Sequence, residues 1–125
     1  MLKDQDSSAI LAVTDLERAR AFYGGVLGLD LAEEGGPEGV LIYRTGRTRL
    51  VVYVSDYAGT NRANAVVWSV GGALDAIVAA LEAKGAKFEH YPGIGRLEGN
   101  IHHAGGAKLA WLKDPDGNVL HINSM

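Results

Sequence analysis

A chain of 125 residues, 47% hydrophobic and 22% charged, fits one soluble globular domain and is too apolar for a disordered one. It has no cysteine, which excludes disulfides, thiolate catalysis and Cys-ligated zinc or iron–sulfur centres. Its formal charge of −3 weighs against a nucleic-acid partner. No apolar run approaches the roughly 18 residues of a membrane span. The polar start Met1-Leu2-Lys3-Asp4-Gln5-Asp6 is no signal peptide, so a cytoplasmic location is expected.

The first apolar run, Ser-Ala-Ile-Leu-Ala-Val from Ser8, reads as a strand that turns into a helix at Thr14 or Asp15. Thr14 and Glu17 have the spacing of a capping box. Leu16, Ala19, Phe22 and Val26 line one helical face, Gly24-Gly25 weakens its last turn and Gly28 stops it. Strands are expected over 29–33, 39–44 and 49–54, the last two joined by a turn at Thr45-Gly46-Arg47-Thr48. Residues 55–63 read as a linker. The pattern then recurs. A strand leads through Gly71-Gly72 into a helix with Leu74, Ile77, Val78 and Leu81 on one face, closed by Gly85. Strands follow over 87–91, 108–113 and 118–122, the last two joined by Asp114-Pro115-Asp116-Gly117, strong turn chemistry. Superposing Ile10 on Val67 also puts Val13 on Val70 and Gly28 on Gly85, which marks a structural repeat. The chain therefore reads as an α+β fold of two tandem βαβββ modules, about 7–55 and 64–123, within one domain, 1–125.

Between the strands of the second module, residues 92–106 are rich in glycine. They read as a polar loop, with a lid over a binding site as the functional alternative. His102 and His103 fall inside this stretch; neighbours on a strand point to opposite faces, so they do not chelate one ion together. Arg44, Arg47, Arg49 and Arg62 gather around a hairpin turn and read as a solvated turn, with an anion-binding role the lesser alternative.

Three blocks carry a family resemblance: Val13-Thr-Asp-Leu-Glu-Arg-Ala-Arg-Ala-Phe-Tyr23, then Val26-Leu-Gly-Leu29, and finally Trp111-Leu-Lys-Asp-Pro-Asp-Gly-Asn-Val-Leu120. Together they resemble the vicinal oxygen chelate superfamily, which includes glyoxalase I, bleomycin-resistance proteins and extradiol dioxygenases. The resemblance implies paired βαβββ modules whose curved mixed sheet forms a cup, and a homodimer. In metal-dependent members, His, Gln or Glu on the first and last strand of each module hold a divalent ion that stabilises an enediolate or bound oxygen. The resemblance puts Ser8 and Ala65 at the first-strand positions here. Val51 or Tyr53, and His121, fall at the last-strand positions.

Serine is a poor ligand and alanine none, so one good ligand remains of three or four. No metal ligand set and no cofactor is expected; a divalent metal held by displaced ligands is the alternative. His121 alternates with Leu120 and Ile122, so it faces the cup if they pack under the helix. It is the one candidate for a catalytic base. Trp68 is expected on the helix side and Ala65 on the cup side. The expected ligand-binding residues are Ser8, Tyr53, Ala65, Tyr91, His102, Trp111 and His121, with the aromatic ones offering a stacking wall. The expected partner is a small organic molecule, bound or sequestered as a drug would be. The alternative is a lyase, isomerase or dioxygenase.

Overall fold

Two short β-branched runs, each feeding a helix, organise two compact units, Met1–Thr60 and Asn61–Met125. The computed structural model describes residues 1–36 and 39–125. The division falls inside the expected linker. Among the described residues no helix is long and apolar enough to cross a membrane.

In the first unit, β1 (Ala9–Val13) leads into α1 (Leu16–Arg20), which passes directly into a wide π turn over Ala21–Val26. Three strands follow: β2 (Asp30–Gly35), β3 (Val40–Thr45) and β4 (Thr48–Val54). Their order is β1-β4-β3-β2, with β1 parallel to β4 and the other pairs antiparallel. The helix cap is Asp15 rather than Thr14. Asp15 has extended dihedrals, and its carboxylate accepts the backbone N–H of Arg18 at 3.1 Å. Thr14 instead accepts a hydrogen bond from the Arg18 guanidinium at 2.9 Å.

The expected face of the first helix shifts for a local reason. Glycines 24 and 25 hold the α conformation weakly, and the Leu27 N–H reaches back five residues to the Phe22 carbonyl at 2.9 Å. The widened turn buries Phe22 and Tyr23 side by side, edge to face at 5.0 Å. Leu16 and Val26, expected inside, are half-buried. Leu11, Val13, Leu41, Tyr43, Leu50 and Val52 complete this core from one face of the sheet.

The second unit follows the same plan with an addition. After β5 (Asn64–Ser69) and a 3₁₀ turn at Gly71–Ala73 comes α2 (Leu74–Ala83), which buries Leu74, Val78 and Leu81 as the spacing predicts. The expected strand over 87–91 shrinks to β6 (Phe88–Glu89). The region read as a loop is a hairpin, β7 (Arg96–Glu98) and β8 (Ile101–Ala104). β9 (Ala107–Lys113) and β10 (Val119–Asn123) close the unit. The sheet order is β5-β10-β9-β8-β7, with β6 also on β9.

The polar loop expected over 92–106 is thus corrected to a hairpin of two paired strands over 96–98 and 101–104. The glycines are the reason. Gly99 has φ +61°, and Gly105 and Gly106 have φ +57° and +81°. These are the backbone conformations that two-residue hairpin turns need, so the glycines punctuate strands rather than loosen a loop.

The Asp114-Pro115-Asp116-Gly117-Asn118 turn joins β9 to β10 and is locked from inside. The Asp114 carboxylate is buried and accepts the N–H groups of Asp116 and Asn118 at 3.0 and 2.8 Å, and the Asn118 amide at 2.8 Å. The block that carries the family resemblance is therefore a structural latch.

Candidate functional site

The register of the second sheet places the site residues. β9 and β10 run antiparallel, and Trp111 lies directly opposite His121. The two share a face of the sheet, with ring centroids 4.6 Å apart and planes 20° from parallel. Leu112 and Leu120, the next pair, point to the other face and are buried. Trp68 registers with Ile122 and lies on that other face, as alternation predicts.

Tyr91 and His102 complete a cluster around Trp111. Each meets its ring edge to face at 5.2 Å, and they stack on one another at 6.5 Å. Four of the seven expected ligand-binding residues thus form one train of rings. It is close-packed: Trp111 and His121 are buried, and His102 is 1% exposed. His102, expected in a loop, is the most enclosed polar side chain of the unit.

Hydrogen bonds fix the two buried histidines. A carbonyl oxygen only accepts, so the Nδ1 atom facing it carries the proton. His121 Nδ1 donates to the Ala110 carbonyl at 3.0 Å. The Asn123 side-chain amide donates to His121 Nε2 at 3.3 Å. The Met125 N–H holds the other end of that amide at 3.1 Å, which orients its nitrogen towards the ring. His102 repeats the arrangement: Nδ1 donates to the Ile94 carbonyl at 2.9 Å, and Nε2 accepts the Tyr91 N–H at 3.3 Å. Burial pushes the His121 imidazole below its ordinary pKa, against a smaller opposite effect of the Ala110 carbonyl.

The other three expected residues are each placed within their own unit. Ala65 sits on β5 where its pairing with β10 shifts, between the Asn64 and Val66 positions. Ser8 and Tyr53 belong to the first unit. Ser8 is exposed just before β1, and Tyr53 is 37% exposed on β4, opposite Ala12 and Val40. None of the seven lines either of two open clefts, one at Glu33, Glu34, Gly35, Gly36, Val40 and Ile42, the other at Gly71, Gly72, Leu74, Asp75, Gly106, Lys108 and Ser124.

Two polar residues escaped the sequence reading. Asn64 accepts the Trp111 indole N–H at 3.1 Å, and Asn123 engages His121. Asn64 lies at a shift in strand register, and Asn123 one residue past the expected end of its strand. Neither position carries a pattern in the sequence.

The metal positions implied by the resemblance do not fit an ion. Ser8 offers a hydroxyl and Ala65 a methyl group, and the last strand of the first module offers aliphatic Val51 or the phenol of Tyr53. His121 has both ring nitrogens engaged within the protein. Among the described residues no three His, Asp or Glu side chains converge on a point where an ion could be held.

A family model described as Glyoxalase/Bleomycin resistance protein/Dioxygenase superfamily matches residues 7–122. No curated protein matches the chain. Solved structures share its fold. The glyoxalase family protein from Enterococcus faecalis superposes with a TM-score of 0.74 at 19% identity, covering 98% of this chain and 99% of that one. Lactoylglutathione lyase from Agrobacterium tumefaciens gives 0.71 at 19% identity, covering 96% and 92%. The fosfomycin resistance protein FosX from Listeria monocytogenes gives 0.74 at 13% identity, covering 99% and 93%.

Proposed function

We propose, from the premise that this chain belongs to the Glyoxalase/Bleomycin resistance protein/Dioxygenase superfamily, that it binds a small organic molecule without a metal, as a cytoplasmic homodimer. One observation carries the reading. Where the resemblance puts a metal-holding carboxylate, His121 is buried, stacked on Trp111 and hydrogen-bonded through both ring nitrogens. Coordination through Nε2 requires breaking the Asn123 contact, and the serine and alanine at the other positions supply nothing in return. This residue set does not supply metal-assisted, charge-stabilised chemistry, which favours the binding reading. Val67, apolar and 55% exposed on its strand, supports a second copy as its cover.

The test is a melting experiment with zinc, nickel, manganese and iron(II), each added alone. A specific ion at a hundredfold excess over its Kd stabilises by about 2.7 kcal/mol, a rise of several degrees. No rise is expected. Bleomycin, fosfomycin and S-lactoylglutathione are then titrated in EDTA, and any probe that binds is expected to do so there. Sedimentation of the same sample is expected at twice 13.2 kDa. A metal-dependent rise that disappears in His121→Ala overturns the metal-free reading in favour of a lyase, isomerase or dioxygenase.

A further inference from the structure

The first unit's sheet has one packed face and one open face. The open face carries Ile10, Ile42, Val51 and Tyr53, which alternate with the buried core residues. At one end of this apolar strip Arg44 lies directly opposite Arg49. The pair follows Thr45 and Thr48, the closing pair of a two-residue hairpin. It is therefore a non-hydrogen-bonded pair, in which strands bring their Cα atoms to about 4.5 Å. Like charges in that position cost stability. Glu33 offsets Arg49 through an ion pair at 3.2 Å. Arg44 has no ion pair or side-chain hydrogen bond among the described residues, and Asp30, its partner on β2, closes none with it. Ser8 precedes Ala9, the partner of Leu50, and so falls beside Arg49 along the sheet.

A cleft of about 250 Å³ opens on the same strip, lined by Glu33, Gly35, Val40 and Ile42 among others. It continues the apolar surface towards β2. Its Glu33 and Glu34 carboxylates repel a second negative group.

We infer that this face binds a small organic acid charged at one end only, its carboxylate or phosphonate on Arg44 and its apolar part along Ile42, Val51 and Val40. The planar guanidinium matches such a group with two parallel hydrogen bonds. Asp30 lies across from Arg44 without bonding it, so a bound anion competes with that carboxylate and supplies the paired contact that Asp30 does not. The inference deepens the binding reading, on which it rests, by naming the class of ligand.

The test follows backbone amides by NMR while 3-phenylpropionate is added, with 3-phenylpropanol as the uncharged control. The acid is expected to shift Ile42, Arg44, Arg49 and Val51, and the alcohol to bind at least tenfold more weakly. Arg44→Gln is expected to weaken the acid about tenfold, the loss of one charge-assisted contact, and to leave the alcohol unchanged. Arg44→Lys retains part of the affinity. Because Arg44→Gln relieves a like-charge pair, its urea midpoint is expected to hold or rise, which separates lost binding from lost folding. Equal binding of acid and alcohol, or equal affinity in Arg44→Gln, overturns the inference and leaves the binding reading standing. If neither probe shifts any residue of this face while another organic molecule binds elsewhere, the inference alone fails. If none of the organic probes named here shifts any amide, both fail.

Discussion

Replacing Asp114 by alanine tests whether the most recognisable block of the sequence is structural. Among the hydrogen bonds the change removes are two from backbone N–H groups and one from the Asn118 amide. Bonds to a charged acceptor contribute about 1.5–3 kcal/mol each. The Asp116 N–H sits in a half-buried turn where water replaces part of the loss, whereas Asn118 is buried. The expected cost is about 3–5 kcal/mol, a fall in Tm of roughly 10–20 °C for a chain of this size. Asp114→Asn is milder, about 1–2 kcal/mol. Its carbonyl keeps the backbone bonds, but its amide meets the Asn118 amide donor to donor. Adding Asn118→Asp reverses that pair and is expected to recover most of the loss. Urea unfolding followed by circular dichroism measures all three variants. An alanine variant within 1 kcal/mol of the parent, or a double variant no better than Asp114→Asn, refutes the latch.

Gly95→Ala is expected to destabilise more than Gly99→Ala. Both glycines have φ near +60°, but a Cβ at Gly95 runs into the His103 carbonyl, while one at Gly99 meets open space. The left-handed backbone costs roughly 1–2 kcal/mol in each, so the difference in urea midpoint isolates the clash, and equal midpoints contradict the close approach of this segment to β8. His121 sets a pH dependence of stability. Burial depresses its folded pKa, so the unfolded ring, near ~6.5, takes the proton first and stability falls as pH drops from about 7 through that value towards the folded one. His121→Gln is expected to flatten the urea midpoint over that window, and an unchanged slope refutes the assignment.

What was legible in the sequence is what local chemistry determines. The second helix shows its period in Leu74, Val78 and Leu81, all buried. The turn at 114–117 announces itself by proline and glycine. Tyr23 was missed because a π turn adds a residue that no 3.6 period anticipates. The β7–β8 hairpin was missed because its strands are three and four residues long and the glycines between them also suit a loop. In the site, alternation set His121 on the face opposite Leu120 and Ile122, but it left the face of Trp111 open. The partners of the histidine nitrogens did not, since Ala110 and Ile94 contribute only carbonyl groups, which no side-chain pattern reveals.

The two units show how one repeated plan yields unequal faces. In the second, Tyr91, His102, Trp111 and His121 fill the face around β9 with rings that hold one another, and backbone groups or a neighbouring amide occupy both histidines. Chemistry there must first break the Asn123 contact. In the first, the corresponding strands carry Ile10, Val51 and Tyr53, and of the arginines Arg44 and Arg49 beside them only Arg49 closes an ion pair among the described residues. Positions that correspond in the repeat, such as Ser8 and Ala65, therefore stand in different physical settings: one exposed just before its strand, the other half-buried at a shift in strand register. The difference follows from side-chain volume. Bulky rings on adjacent strands close one face, while aliphatic groups and arginines leave the other open.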